Sequence, residues 1–157
     1  MSKAKRLVFA EYNAGCAPGW TLFAHTGRCY KLFKPALSWR EAGATCRLHK
    51  DNGHLASVPD QKTNDFLLTL VSDEYVWIGA QDADSEGEWQ WSDGTQWAFT
   101  NWDGGQPSGE SQDFLHLIKS TKKWGDYHVT NLPYICQYYP GQIYLNYLRC
   151  GNFYTFF

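Results

Sequence analysis

The sequence predicts an α+β domain, and three observations carry that expectation. Helical signatures occupy residues 38–48 and 60–71, short apolar and aromatic runs fill the second half, and loops rich in Gly, Asp, Ser and Asn separate those runs. At 157 residues the chain suits one domain and is long enough to bury a real core. Aromatic residues make up 17% of it, so large rigid side chains supply much of the buried area.

Residues 1–15 read as a polar arm in which Lys3, Lys5 and Arg6 are solvated. Cys16-Ala17-Pro18-Gly19-Trp20 opens a segment that closes near Cys29-Tyr30. A bridge between Cys16 and Cys29 would staple a short hairpin there, worth about 3 kcal/mol in the loop-entropy picture. Ser38-Trp39-Arg40-Glu41 has the form of a capping box, in which serine and glutamate each satisfy a backbone N–H that the first helical turn leaves unpaired. It starts a helix running to about Leu48, with Trp39, Ala42 and Cys46 on one face. A second helix follows Pro59, with Asp60 as N-cap and Phe66, Leu67, Leu70 and Val71 as its apolar stripe. Strand-like runs then cover 75–79, 89–91, 114–118 and 134–138. The polar loops 82–88 and 101–113 are poor material for a core, and an irregular stretch that long is either functional or disordered. The domain is expected over residues 16–137, followed by an aromatic tail over 138–157.

Composition excludes several functions. A net charge of −2 with no concentrated basic face gives no nucleic-acid footprint. Five cysteines contain no C-x-x-C pair and no zinc-ligand spacing, which favours structural bridges, an oxidising compartment and a secreted, extracellular protein. No secretory signal is visible in this chain, since the apolar run 7–10 is too short for one, and nothing reaches the length of a membrane span. There is no G-x-S-x-G, no phosphate-cradling glycine loop and no H-E-x-x-H, while Ser108 and Asp126 lack a base between them. His25, His49, His54, His116 and His128 have no catalytic or metal spacing and read as ordinary histidines, with His128 notable for following Asp126 closely. The chain therefore reads as a binding module and not an enzyme.

Four landmarks stand in one order between Trp77 and Cys136: Trp77-Ile78-Gly79-Ala80, Trp89-Gln90-Trp91-Ser92-Asp93-Gly94, Gln106-Pro107-Ser108, and Trp124-Gly125-Asp126 ahead of Ile135-Cys136-Gln137. Together they resemble the C-type lectin-like domain in its long form, up to about Gln137. The resemblance implies two helices, antiparallel sheets and a long irregular ligand-binding loop. It supports the Cys16–Cys29 hairpin and pairs Cys46 with Cys136 across 90 positions, a closure worth about 4 to 5 kcal/mol in the entropic model. A third bridge of the family is missing, since Phe114 and Val129 stand at its two positions, and a packed contact between them is expected in its place.

In sugar-binding members of that family, oxygens around the loop proline, a later acid and the Asn-Asp of W-N-D hold one calcium and also bond two sugar hydroxyls. Calcium requires six to eight hard oxygens. Here Gln106 resembles the galactose-type subset, but Ser108 replaces an aspartate, Gln112 stands where an acid is usual, with Glu110 as a substitute after a register shift, and Gly125 replaces the asparagine. Strict alignment leaves Asp126 as the one carboxylate of that cage. Asp82, Glu86 and Asp113 match the acids of an auxiliary calcium site of the family, the alternative being that they are solvated loop acids. Trp77, Trp89, Trp91 and Trp102 are expected in the core and Trp97 at the surface.

Two functions follow from the resemblance. One is recognition of a glycan or glycoprotein, galactose-type by its Gln106, through Gln106, Ser108, Glu110, Gln112, Trp124, Asp126 and His128, with or without calcium. The other is recognition of a protein or mineral surface by the same loop. Asp126→Ala is expected to abolish sugar binding while scarcely changing the melting temperature. The aromatic tail with Cys150, the odd cysteine, is expected to mediate self-association.

Overall fold

The computed structural model describes residues 15–109 and 111–140. The expectations placed on the N-terminal arm, Glu110, the tail beyond Pro140 and Cys150 lie outside the described residues. Within them the chain runs β1 (Thr21–Phe23), β2 (Arg28–Leu37), α1 (Trp39–His49), β3 (His54–Leu55), α2 (Gln61–Leu70), β4 (Tyr75–Gln81), β5 (Gln90–Trp91), β6 (Phe114–Ile118), β7 (Lys123–Tyr127) and β8 (Leu132–Tyr138).

Both helices begin where their caps place them. The Ser38 side chain accepts from the Glu41 N–H while the Glu41 carboxylate accepts from the Ser38 N–H, completing the capping box. Asp60 accepts from the Thr63 N–H at 2.8 Å at the start of α2. Trp39, Ala42, Gly43 and Cys46 form the buried face of α1. That face packs on Trp77, Phe114, Tyr134 and Cys136, and the Trp39 indole N–H donates to the Ile78 carbonyl at 2.8 Å. Two disulfides, Cys16–Cys29 and Cys46–Cys136, join the pairs that the resemblance implies.

The sheet order is β1-β2-β8-β4-β6-β7, with β3 beside β8 and β5 beside β4. The pairings are antiparallel except where β4 meets β8 in parallel at Trp77 and Tyr134, so the sheet is mixed and not purely antiparallel. A parallel contact between distant strands leaves no local pattern in sequence. Gly79 permits the tight centre of the fold: a Cβ there would lie 2.6 Å from the Leu55 carbonyl oxygen, and the Gly79 N–H donates to the Ala56 carbonyl at 2.8 Å. The last strand extends one residue beyond the expected domain end, to Tyr138, whose hydroxyl accepts from the Ala17 N–H at 2.6 Å.

A second buried cluster centres on Trp91, Trp124, Leu115 and Ile135, and it corrects one expectation. Trp97 is not a surface aromatic. It is half-buried against this cluster, with its ring 5.2 Å from that of Trp91 and 6.0 Å from that of Trp124. Its polar neighbours Gly94, Thr95 and Gln96 concealed an inward-pointing side chain. A second correction concerns the missing bridge: Phe114 is buried and stacks on Trp39 at 5.0 Å, whereas Val129 is 78% exposed and does not share that burial.

Candidate functional site

β7 forms one end of the strand order, and the long loop lies along its outer edge. The Trp124 N–H donates to the Asn101 carbonyl at 2.9 Å and the Trp124 carbonyl accepts from the Asp103 N–H at 2.8 Å, so an edge that would otherwise be open is covered. Trp124 itself is fully buried. Its indole N–H donates to Asn64 Oδ1 at 2.7 Å, and the Asn64 amide donates to the Lys122 carbonyl at 3.2 Å. Trp124 thus supports the site from the core and is not placed to touch a ligand.

Two residues further along, Asp126 is 2% exposed and closes the loop onto the strand. Its two carboxylate oxygens accept from the Ser108 N–H at 2.9 and 2.8 Å, and Oδ1 also accepts from the Ser108 hydroxyl at 3.1 Å. The Asp126 N–H donates to Gln106 Oε1 at 3.2 Å. The peptide between Gln106 and Pro107 is cis. Gln106, Ser108 and Asp126, brought together as expected, are engaged with one another.

This donor set does not fit calcium. Gly125 brings no side-chain oxygen, both oxygens of Asp126 already accept hydrogen bonds, and Gln106 Oε1 is occupied by a backbone N–H. The expectation that Asp126→Ala scarcely changes stability also has to be revised, because the carboxylate holds the loop down.

Gln106, Ser108, Gln112 and Asp126 line a cleft of about 540 Å³. Tyr75, His116 and Tyr127 line the same cleft. His128 lies elsewhere, its ring stacked on Tyr127 at 4.5 Å, and it lines a smaller cavity of about 250 Å³ with Trp39, Arg40, Asp113 and Val129.

His116 is the site residue that sequence reasoning missed. It sits on β6 opposite Gly125 of β7, and a Cβ at Gly125 would lie 2.8 Å from the imidazole Cε1. The ring is 6% exposed and its Nδ1 is buried without a hydrogen-bond partner. Burial pushes its pKa down to about 4 against a smaller opposing pull from the Asp126 charge, so it is neutral at physiological pH. Gly125 marks close approach by another group only once β7 is known to be a strand, and its extended state comes from pairing with β6.

Among the described residues no group of three or more His, Cys, Asp or Glu side chains is arranged to hold a metal ion. Glu86 is exposed. Asp82, by contrast, is 3% exposed, with Oδ2 accepting from the Gly87 N–H at 2.9 Å and Oδ1 buried without a hydrogen-bond partner. Desolvation raises its pKa, with the charges of Asp113 and Asp126 adding to the rise. An orphaned buried carboxylate oxygen near a second acid fits a cation better than the Asp126 site does, provided backbone oxygens and water complete the shell.

With the geometry in place, the comparisons agree on the class. The Lectin C-type domain family matches residues 35–138, and the chain belongs to that family. The C-type lectin lectoxin-Lio1 of Erythrolamprus poecilogyrus is 34% identical over 134 residues, covering 80% of this chain and 81% of that protein. Among solved structures, the carbohydrate-recognition domain of cow CD23, crystallised in the presence of a GlcNAc2Man3 oligosaccharide, superposes with a TM-score of 0.71 at 28% identity, covering 80% of this chain and 96% of that one. A calcium-independent type II antifreeze protein gives a TM-score of 0.73 at 28% identity over 80% of this chain and 95% of its own.

Proposed function

We propose that this C-type lectin domain recognises glycans through the cleft lined by Gln106, Gln112, Asp126, Tyr75 and Tyr127, without calcium bound at Asp126. The cleft carries this reading: it combines amide side chains with two tyrosines that are 48% and 42% exposed, and it adjoins the loop that the resemblance marks as ligand-binding. Aromatic faces pack on the C–H face of a sugar, while amides bond its hydroxyls. Asp126 acts in this scheme as the internal anchor of the loop, its contacts with Ser108 standing where a metal would otherwise tie the loop down.

A calcium ion held by Asp82 and Asp113 with backbone oxygens and water would be structural, bracing the 82–88 loop against the start of β6; the unpartnered Asp82 oxygen supports this. The two disulfides support a protein that works outside the cell. Among the described residues no helix is long and apolar enough to cross a membrane. The self-closed Asp126 also supports a second reading, recognition of a protein or mineral surface by the same loop, and the likeness to a calcium-independent antifreeze protein points the same way.

The test is retention of the purified, disulfide-intact protein on immobilised glycans, in millimolar calcium and again in chelator. Equal retention under both conditions is expected. Retention that disappears in chelator would mean that a metal takes part in the contact. No retention on any glycan would overturn the glycan reading in favour of a protein or surface ligand.

A further inference from the structure

The cleft has a feature that the loop residues do not explain. Strand alternation sends Leu115 and Leu117 into the core and His116 to the opposite face of β6, where its ring meets Tyr75 at 5.3 Å and Tyr127 at 6.1 Å, edge to face in both cases. The imidazole occupies the space that Gly125 leaves: with any other residue at 125 the ring would have to move. The imidazole lines the cleft beside Tyr75, Ile118, Tyr127 and Leu132, and since Nδ1 is buried away from solvent, Nε2 is the ring nitrogen left to meet a ligand.

The lining also says what that ligand is. Among the described residues no lysine or arginine lines the cleft, and the one carboxylate that does, Asp126, already has both oxygens engaged by Ser108. The imidazole is neutral at physiological pH, and its Nε2 serves a ligand as donor or acceptor according to the tautomer. A volume of about 540 Å³ suits a small ligand and not a flat protein surface. An acidic sugar finds no counter-charge here, whereas a ring with apolar C–H faces and uncharged hydroxyls finds two tyrosines and several neutral hydrogen-bonding groups.

We infer that His116, in the space left by Gly125, determines the specificity of this cleft by bonding a hydroxyl of a neutral sugar whose ring packs against Tyr75 and Tyr127, with no metal ion in the contact. The inference rests on the glycan reading above and adds His116 and Gly125 to it.

The experiment titrates the full chain with lactose, mannobiose, chitobiose and sialyllactose in chelator, recording affinity, Tm and the His116 ring resonances by NMR. At least one neutral probe is expected to bind and shift those resonances. His116→Phe, which keeps a ring but removes both polar atoms, is expected to weaken that binding about tenfold, the size of one or two hydrogen bonds. Gly125→Ala is expected to weaken it similarly by displacing the imidazole. If His116→Phe fails to fold, Tyr127→Ala, at a half-exposed position, carries the test with the same expected loss. Wild-type affinity in these variants, or binding of sialyllactose alone, would overturn the inference. If the glycan column retains the protein but no neutral probe binds, this inference falls and the glycan reading stands; if both fail, both fall.

Discussion

Asp126 and Asp82 are equally buried, at 2% and 3% exposure, yet their surroundings differ in kind. Asp126 accepts three hydrogen bonds from Ser108 alone, so its charge is spent inside the protein. Asp82 accepts one from the Gly87 N–H, keeps one oxygen without a partner and feels the like charges of Asp113 and Asp126. A buried carboxylate needs compensation from hydrogen bonds or from a cation, and the first has met that need locally while the second has not. The acid that the family pattern preserves at the sugar-type position is thus the less suited of the two to hold calcium.

The largest expected effect breaks the first half of this contrast. Asp126→Ala removes a charged acceptor from three hydrogen bonds and leaves the Ser108 N–H facing an apolar side chain. Hydrogen bonds to charged groups contribute roughly 1.5 to 3 kcal/mol each but are not additive here, since all three come from one residue, so a loss of about 4 kcal/mol is expected. Chemical denaturation checks it. A loss below about 1 kcal/mol would mean that Asp126 is not the anchor of the loop. The size of the effect should be the same with and without calcium.

How much of this was legible in sequence depends on how local each feature is. The capping box at Ser38 and Glu41, the Asp60 cap and the limits of β6 were readable because neighbours in sequence create them. The strand β7 was not, because Lys123-Trp124-Gly125-Asp126-Tyr127 has a glycine at its centre, and its pairing with β6 is what holds it extended. With β7 unseen, nothing placed Gly125 against His116, and a histidine flanked by Leu115 and Leu117 read as incidental. The family pattern brought Gln106, Ser108 and Asp126 to one place correctly. It did not show that they bond one another, because that depends on replacing an aspartate by serine, whose hydroxyl donates where a carboxylate only accepts.

A smaller effect of opposite sign is expected at the second acid. Asp82→Asn removes a poorly compensated charge and retains an oxygen for the Gly87 N–H, so in chelator at neutral pH it should stabilise the fold by on the order of 1 kcal/mol. The pH dependence fixes the mechanism. Because the folded-state pKa of Asp82 is raised, its contribution to stability is fully present below the unfolded value of 3.8 and is lost as pH rises through the folded one. The advantage of the asparagine variant should therefore shrink at the acid end of a Tm-against-pH series and grow toward neutrality. A constant difference across the series would show that the charge of Asp82 is not what matters.

The smallest effect tests whether a cation completes what hydrogen bonds leave undone at Asp82. A ligand that binds only the folded state stabilises it by RT ln(1 + [L]/Kd), so a weak site filled a few times over its Kd gives about 1 kcal/mol or less. Wild-type protein should therefore gain a few degrees in Tm on going from chelator to millimolar calcium, and Asp82→Asn should gain nothing. If wild type gains and Asp82→Asn gains equally, the ion sits elsewhere. If neither responds, the proton alone relieves Asp82, and the contrast between the two aspartates becomes one between a carboxylate held by its loop and one held by its protonation.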